Sequence, residues 1–238
     1  MKTQVVISLF SLLIASFAFG KHLQYLPQGF CPAVVDYTYY SLCYDSEHRQ
    51  ASWVKYELTQ ELISGKQKRT NNYRQDPNVE DPVFSSDYKG SGYDRGHLLP
   101  AAAMKLNYQS MNETFFMTNM SPQVSSFNRG IWASIERRMR DLVRKHGTAH
   151  VITAPILDVG LPTIRSGVSI PKWYYKIAYF PGPQIMKAFL IENKRHSNAA
   201  YSDFLVTVDE VEALSGLDFY SSLPDMVESE MESTIVEE

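Results

Sequence analysis

The sequence contains few cysteines, and they do not form a zinc-binding pattern. Its 238 residues include two cysteines, Cys31 and Cys43, with no CxxC pair and no Cys/His cluster. This excludes a zinc site of the usual ligand spacing. A GxSxG segment and a Cys/His pair are also absent, so nothing supports a hydrolase with a serine or cysteine nucleophile.

Repeats, low-complexity segments and a linker between domains are absent too, which favours one domain for the body of the chain. One long apolar run occurs, after Lys2, with the sequence VVISLFSLLIASFAFG. It has the length of the apolar region of a signal peptide and is short for a membrane span. Small residues at Ala18 and Gly20 fit cleavage before Lys21. Residues 1–20 are therefore predicted to be a signal peptide, and a retained N-terminal anchor is the alternative.

Export changes the interpretation of the two cysteines. An exported protein is either secreted or periplasmic, and it has no membrane partner once its signal peptide is removed. Oxidising compartments favour disulfides. We therefore predict a Cys31–Cys43 disulfide, with two buried free thiols as the alternative. The Tyr-rich segment between them, Tyr37 to Tyr44, is expected in the core rather than at an interface.

Charge is distributed unevenly along the chain. The formal net charge is −3, but residues 225–238 hold six acidic residues and no basic one. We expect these residues to form a solvated, disordered tail and the remaining body to be mildly basic. A dense basic cluster favours an anionic partner, and a solvated helix face is the alternative. The cluster contains Arg129, Arg137, Arg138, Arg140, Arg144 and Lys145.

Hydrophobic patterning predicts an α+β domain with a central, largely antiparallel sheet flanked by helices. Strands are predicted in the segments SWVKYELT, TFFMTNM, HVITAPIL, WYYKIAYF and IMKAFLIE. A short helix is predicted at TVDEVEAL, and a longer one runs from about Asn128 to His146, with Gly147 as its stop.

The longer helix has two distinct stripes. Its apolar stripe should face the core and contains Ile131, Ile135, Met139 and Leu142. A neighbouring stripe, with residues spaced by four, contains Asn128, Trp132, Glu136 and Arg140. The simplest interpretation of this second stripe is a surface ladder in which Glu136 pairs with Arg140.

A short upstream segment, GYDRGHLLPA, offers chemistry that complements this helix. His97 can act as a base near neutral pH, and the amide oxygen of Asn128 suits a hard cation such as Mg²⁺. Glu136 can hold the waters of that cation, and Arg95 and Arg140 can bind phosphate oxygens. Together these groups meet the needs of phosphodiester hydrolysis. Gly96 is expected to allow a backbone bend that Asp94 braces.

At these residues the sequence resembles the DNA/RNA non-specific endonuclease family, and within it the endonuclease G-like branch. The resemblance rests on DRGH at Asp94 to His97, preceded by YKGSGY, and on TNMSPQVSSFNRGIWASIE downstream. It spans roughly residues 30–224, so we expect a nuclease domain over residues 21–224.

The resemblance implies a ββα-metal finger within an α+β body. It implies that His97 is the general base, and that Asn128 is the sole direct protein ligand of one Mg²⁺, which Mn²⁺ or another divalent cation can replace. Glu136 would reach the metal through water, and Arg95 and Arg140 would lie beside the scissile phosphate.

Two further residues follow from the resemblance. Asn119 matches a supporting asparagine near the site. An arginine of the upstream loop also serves the site, and Arg69 is preferred to Arg74.

The implied activity is hydrolysis of single- or double-stranded DNA and RNA with low sequence specificity, leaving 5′-phosphates. The residues leave endo- and exonucleolytic action open, as well as a preference for DNA or RNA. Relatives are often dimers, so the resemblance allows a homodimer. A non-catalytic extracellular nucleic-acid-binding protein that retains the fold is the alternative function.

Overall fold

The computed structural model describes residues 25–237, and the predicted signal peptide lies outside them. Within this range every strand pairs antiparallel with its neighbours. The large sheet has seven strands in the order β1-β2-β3-β6-β7-β8-β9, and β4 and β5 form a separate two-stranded sheet. The strands are β1 (Ala33–Asp36), β2 (Tyr40–Asp45), β3 (Gln50–Leu58), β4 (Tyr93–His97), β5 (Met120–Val124), β6 (Ala149–Pro155), β7 (Trp173–Phe180), β8 (Ile185–Glu192) and β9 (Leu205–Val206).

The helices are short apart from one. They are α1 (Gln60–Ser64), α2 (Tyr108–Glu113), α3 (Ser125–Phe127), α4 (Ala133–His146), α5 (Val208–Ser215) and α6 (Asp225–Glu232). Short 3₁₀ turns are found at Ser85–Tyr88, Ala101–Ala103, Met117–Asn119 and Tyr201–Phe204. No helix among residues 25–237 is long and apolar enough to cross a membrane.

The large sheet is covered on both faces, and β7 shows how. Its side chains alternate between the faces, as the pleat requires. Tyr174 and Ala178 pack in the same core as Ile135 of α4, whereas Tyr175 and Ile177 pack in the core that includes Val211 of α5. The sheet therefore lies between α4 on one face and α5 with α6 on the other. This confirms the predicted α+β architecture.

The predicted apolar stripe fixes α4 to its face of the sheet. Ile131, Ile135, Met139 and Leu142 are all buried, and the helix ends at Gly147 as predicted. Its first turn differs from the prediction of a continuous helix. After α3, residues Asn128–Trp132 form a π-helical turn in which Gly130 has non-helical angles. Such turns insert an extra residue and are frequent at functional sites.

The small sheet and this helix form one unit. Strand β4 pairs with β5 with His97 opposite Met120 and Asp94 opposite Gln123. The chain then leaves β5 directly into α3, the π turn and α4. Two antiparallel strands followed by a helix are the predicted ββα finger. The segment TFFMTNM is not a strand, because Met117–Asn119 forms a 3₁₀ turn and the strand begins at Met120.

The expectation of a disordered tail over residues 225–238 is corrected by the structure for residues 225–232. Residues Asp225–Glu232 form α6, with Met231 and Glu232 buried. Met231 belongs to the core shared with α5, so burial of apolar surface orders a segment whose composition is mostly acidic and polar.

At the other end of the domain, Cys31 and Cys43 form a disulfide. This agrees with the predicted pairing and ties the segment before β1 to β2. Tyr37, Tyr40 and Tyr44 between and beside them belong to the core, as expected.

Candidate active site

A cleft of about 780 Å³ opens where β4 meets the start of α4. Its lining contains most of the residues that the sequence singled out, together with several aromatic and polar neighbours. The lining residues whose side chains could take part in binding or catalysis are Arg69, Tyr73, Ser85, Lys89, Asp94, Arg95, His97, Asn128, Arg129 and Glu136. The ββα unit therefore brings together residues that are far apart in sequence.

His97 lies at the end of β4, with 8% of its surface exposed. Its imidazole packs edge-on against the rings of Tyr73 and Phe115, at centroid distances of 5.8 and 5.0 Å. Within residues 25–237, no group forms a hydrogen bond with its buried Nε2. Burial, reinforced by Arg69 and Arg95, lowers the pKa of His97 to about 3. The free imidazole is therefore neutral at physiological pH.

Asn128 is oriented by Asp94. Its Nδ2 donates to Asp94 Oδ2 at 2.9 Å. An ionised carboxylate only accepts hydrogen bonds, so the amide N–H group must face Asp94 and Oδ1 must point elsewhere. Asp94 also accepts from Ser125 and makes two bonds with Arg129. Asp94 thus connects β4 to the start of the helix, as its predicted bracing role requires.

The pKa of Asp94 reflects this arrangement. Burial acts to raise it, but hydrogen bonds from Arg129, Asn128 and Ser125 outweigh burial and lower the pKa. The carboxylate therefore stays ionised near neutral pH and keeps the amide of Asn128 in one orientation.

Glu136 lies in the cleft, on the first turn of α4, and is half-buried. Burial raises the pKa of its carboxyl group, whereas Lys176, Arg140 and Arg69 act to lower it. Lys176 is a fully buried residue of β7 on the sheet face that α4 covers. This buried cation beneath the site favours the ionised form of Glu136.

Lys176 is held by three neighbours. Its Nζ donates to Thr153 and to the hydroxyl of Tyr56, the latter at 3.3 Å, and lies 4.9 Å from the centroid of the Trp132 ring. Burial lowers the pKa of Lys176 to about 8, while Glu136 acts to raise it. Lys176 was missed in the sequence because a single lysine in WYYKIAYF gives no sign of its position under the helix.

Two arginines flank His97. The guanidinium of Arg95 lies 4.3 Å from the centroid of the Tyr73 ring and donates to Ser85. Arg69 donates to the Tyr73 hydroxyl at 3.1 Å. Tyr73 therefore positions both cations.

Arg74, the alternative to Arg69, lies outside this cleft. It packs on Phe116 and donates to the backbone oxygen of Asn112. It lines a second, smaller cavity with Asn112. Of the two arginines in the upstream loop, the structure places Arg69 in the cleft.

Arg140 and Asn119 were also predicted for the site, but neither is among the residues that line the cleft. Arg140 lies one turn beyond Glu136, and burial lowers its pKa while Glu136 raises it. Its Nη1 is buried and has no hydrogen-bond partner in the part of the chain that the structure describes. Arg140 therefore acts on the site through its charge beside Glu136.

Asn119 is fully buried behind the cleft. Its side chain accepts from the backbone N–H of Leu99 at 2.8 Å and donates to the backbone oxygens of Leu99 and Thr114. All of these partners are backbone groups, so Asn119 supports the chain that follows His97. The predicted role of Asn119 as a supporting residue stays a prediction, and these backbone contacts are consistent with it.

Gly96 has a different role from the one predicted. It lies within β4 without a positive φ angle, so it does not make a bend. A Cβ atom here would lie 2.2 Å from the side-chain amide of Gln123 on β5. Glycine is required because the two strands approach closely, not because the backbone turns.

Several residues of the cleft carried no distinct signal in the sequence. Lys89 is exposed within YKGSGY, and Ser85 and Tyr73 lie in polar segments whose composition is typical of solvent-exposed loops. Arg129 was recognised as part of the basic cluster but not as the partner of Asp94. Of that cluster, Arg129 is the member that lines the cleft.

The donors in the cleft fit a hard divalent cation. Asn128 offers an amide oxygen held away from Asp94, and Glu136 offers a carboxylate, while thiol ligands are not among the lining residues. Mg²⁺ prefers oxygen ligands of this kind and keeps several waters. His97, whose buried Nε2 has no hydrogen-bond partner among residues 25–237, lines the same cleft as these donors.

The site combines two antiparallel strands, of which the first ends in a histidine, with a π turn that carries an asparagine and a helix that carries a glutamate. This arrangement defines the class of ββα-metal nucleases. The chain belongs to the DNA/RNA non-specific endonuclease family, which it matches over residues 24–226. The protein is thus a hydrolytic nuclease, and the resemblance found in the sequence is confirmed.

Its relatives agree with this membership. The chain is 32% identical over 211 residues to a nuclease of Serratia marcescens, covering 82% of this chain and 77% of that one. It is 30% identical over 205 residues to mitochondrial endonuclease G of Homo sapiens, covering 77% and 68% of the two chains. The crystal structure of EndoG in complex with EndoGI superposes with a TM-score of 0.74 at 27% identity, over 83% of this chain and 90% of that one.

Proposed function

We propose that this protein is an exported, Mg²⁺-dependent nuclease that hydrolyses DNA and RNA with low sequence specificity. The observation that carries the proposal is the pairing of two groups in one cleft. The neutral imidazole of His97 has a buried Nε2 without a partner among the described residues, and the oriented amide of Asn128 lines the same cleft.

In the proposed reaction, His97 removes a proton from the attacking water at Nε2. Its low pKa keeps the imidazole neutral before substrate arrives, and the tautomer with its proton on Nδ1 has Nε2 free to accept. Water then forms a bond to phosphorus, the bond from phosphorus to the 3′ oxygen breaks, and that oxygen takes up a proton from solvent water. The products carry a 5′-phosphate and a 3′-hydroxyl, as in the family that the sequence resembles.

The metal would be held by Asn128 directly and by Glu136 through water. When bound, it supplies positive charge at the leaving oxygen and at the phosphate. Asp94 keeps the Asn128 amide in place, and Lys176 and Arg140 favour the ionised form of Glu136.

Positive side chains would hold the phosphate. Arg95 and Arg69 border His97 and can make charge-assisted hydrogen bonds to the non-bridging oxygens. Tyr73 supports both guanidinium groups, which limits the entropy lost when substrate binds.

The Cys31–Cys43 disulfide supports export. Disulfides persist in oxidising compartments and are rare in the cytosol. Export to the periplasm or to the outside of the cell, a signal peptide over residues 1–20 and a homodimer remain predictions.

A single assay tests the activity and its mode. The purified protein is incubated with circular single-stranded DNA and with RNA, with Mg²⁺ or with EDTA. We expect cleavage of both with Mg²⁺ and none with EDTA. Circles have no ends, so their cleavage establishes endonucleolytic action.

The role of His97 is tested in the same assay. His97→Ala should lose cleavage of both substrates by a factor of about 10² or more while remaining folded. His196→Ala is the matched control, because His196 contacts Glu192 and Phe204 away from the cleft. Substantial Mg²⁺-dependent cleavage by folded His97→Ala would refute the assignment. Binding without cleavage by the unmutated protein would favour the non-catalytic alternative.

A further inference from the structure

A group of three carboxylates lies on the opposite face of the sheet from the cleft. Asp209 and Glu212 belong to α5, and Glu232 belongs to the last turn of α6. One oxygen from each lies within 4.8 Å of the others. Because α5 and α6 both pack on the core that faces away from α4, this group is separate from the nuclease site.

Glu232 is the residue that makes this group unusual. Only 6% of its surface is exposed, and its Oε1 is buried with no hydrogen-bond partner among residues 25–237. Burying a carboxylate without a partner is costly. Its neighbour Met231 packs in the core and holds the end of α6 against it.

The electrostatic surroundings add to this cost. Burial, reinforced by Glu212, Glu228, Asp209 and Asp218, raises the pKa of Glu232 to about 8. Burial also raises the pKa of Glu212 and Glu228. Several carboxyl groups are therefore held together at the junction of α5 and α6 without a compensating positive charge among these contributions.

The group is also organised. The backbone N–H of Phe219 donates to Oε1 of Glu212 at 2.8 Å, which fixes the Glu212 side chain. Asp209 lies in the first turn of α5, whose N-terminus is capped by Thr207. Two helices thus bring three carboxylates close together.

We propose that Asp209, Glu212 and Glu232 bind one Ca²⁺ ion that fastens α6 to α5. The ligands are all hard oxygen donors, which excludes a preference for zinc or copper. The ligand atoms lie within 4.8 Å of one another, which is compatible with the flexible coordination of Ca²⁺ by oxygens at about 2.4 Å. Mg²⁺ needs oxygens nearer to each other, at about 2.0–2.1 Å from the ion, and a stricter octahedron.

This site would belong to an addition to the family domain. The family match ends at residue 226, and α6 extends to Glu232. Bound Ca²⁺ would offset the repulsion among the carboxylates and keep α6 docked. Without it, α6 would be more easily detached and cleaved by proteases.

The experiment measures Ca²⁺ binding in full-length protein with Asn128→Ala as the background, so that the cleft contributes no metal site. Equilibrium dialysis with CaCl₂ should give one bound Ca²⁺ per chain. At about one hundred times the dissociation constant, Ca²⁺ should raise the Tm by about 5–10 °C. It should also slow proteolysis within residues 225–238.

Two variants on the same helix separate this site from general acidity. Glu232→Gln should weaken Ca²⁺ affinity by more than tenfold and should abolish the rise in Tm. Glu230→Gln changes an exposed neighbour and should keep both the affinity and the rise in Tm. Asp209→Asn is a second variant in case Glu232→Gln is poorly folded, and it should also weaken binding.

Three results would overturn the proposal. They are the absence of stoichiometric Ca²⁺ binding at millimolar concentration, equal binding by folded Glu232→Gln, and binding that Glu230→Gln weakens just as strongly. Nuclease activity of the unmutated protein is unaffected by these results, so failure here is distinguishable from failure of the proposed function.

Discussion

Lys176 is the residue with the largest unexpected influence on the site. It is fully buried under Glu136, and its charge acts to lower the pKa of that carboxyl group. Lys176→Met should therefore raise the pKa of Glu136, so that the acidic side of the pH–rate profile moves to higher pH by about one unit or more. The measurement is the rate of cleavage of a defined DNA from pH 5 to about pH 9.

Two controls separate this effect from a general loss of stability. Lys176→Arg keeps the charge and should keep the pH profile near that of the unmutated protein. Lys172→Met removes an exposed lysine just before β7 and should change neither profile nor fold. An unshifted profile in folded Lys176→Met would show that Glu136 does not depend on this cation.

His97 should make the stability of the protein depend on pH. Its pKa is about 3 in the folded protein, against an ordinary value of 6.5. Between these values the unfolded chain binds a proton that the folded chain does not. The free energy of unfolding should therefore fall as pH is lowered from 6.5, by up to about 2 kcal/mol at pH 5 from this residue.

Urea unfolding without metal, at pH 7 and pH 5, measures this loss. His97→Asn should show a smaller loss than the unmutated protein, because it removes the group that titrates. His196→Asn retains His97 and should show the full loss. If His97→Asn and the unmutated protein lose equal stability, His97 is not held in the neutral form by its surroundings.

At the scale of elements, the β4–β5 hairpin depends on a close approach between Gly96 and Gln123. A Cβ added at Gly96 would overlap the Gln123 side chain, and both polar atoms of that amide are buried without a partner within the described residues. Gly96→Ala should therefore destabilise the protein by about 1–3 kcal/mol. Thermal unfolding of the purified variants measures it.

A double variant isolates the cause of this loss. Gln123→Ala removes the atoms that the new methyl group would meet, so Gly96→Ala should cost much less in that background. Equal costs in both backgrounds would mean that another contact, and not Gln123, requires glycine at this position.

The elements themselves were largely predictable from the sequence. The strands that include Trp53, Ile152 and Ile177 follow from apolar β-branched and aromatic runs, and α4 follows from its apolar stripe and Gly147. Local patterning has this power because each element must bury one face. The family motifs also predicted that His97 and Asn128 belong to one site.

What could not be predicted depends on contacts between elements. The pairing of β4 with β5 explains Gly96, and the position of β7 under α4 explains Lys176. The π turn at Asn128–Trp132 was missed because its residues also satisfy the helical pattern that follows. The order of α6 was missed because Met231 offsets an acidic composition only once a core exists to receive it.

At the scale of the whole molecule, charge is divided between the two faces of the large sheet. The cleft on the α4 face contains four basic residues against two acidic ones, Asp94 and Glu136; the basic residues are Arg69, Lys89, Arg95 and Arg129. The acidic residues of α5 and α6 lie on the other face. This division should guide a polyanion to the cleft and away from α5 and α6, despite a net charge of −3.

Two exposed lysines test whether binding follows the cleft rather than the total charge. Lys89 lines the cleft, whereas Lys145 lies in the last turn of α4 and is not among the lining residues. Lys89→Ala should weaken binding of DNA and RNA by a similar factor for each. It should also reduce the slope of log affinity against log salt by about one, because one phosphate contact is lost. Lys145→Ala removes the same charge and should change neither quantity. Fluorescence anisotropy with a labelled oligonucleotide measures both the affinity and its salt dependence, and the His97→Ala background prevents cleavage. Equal losses of affinity in the two variants would show that net charge, and not the cleft, attracts the substrate.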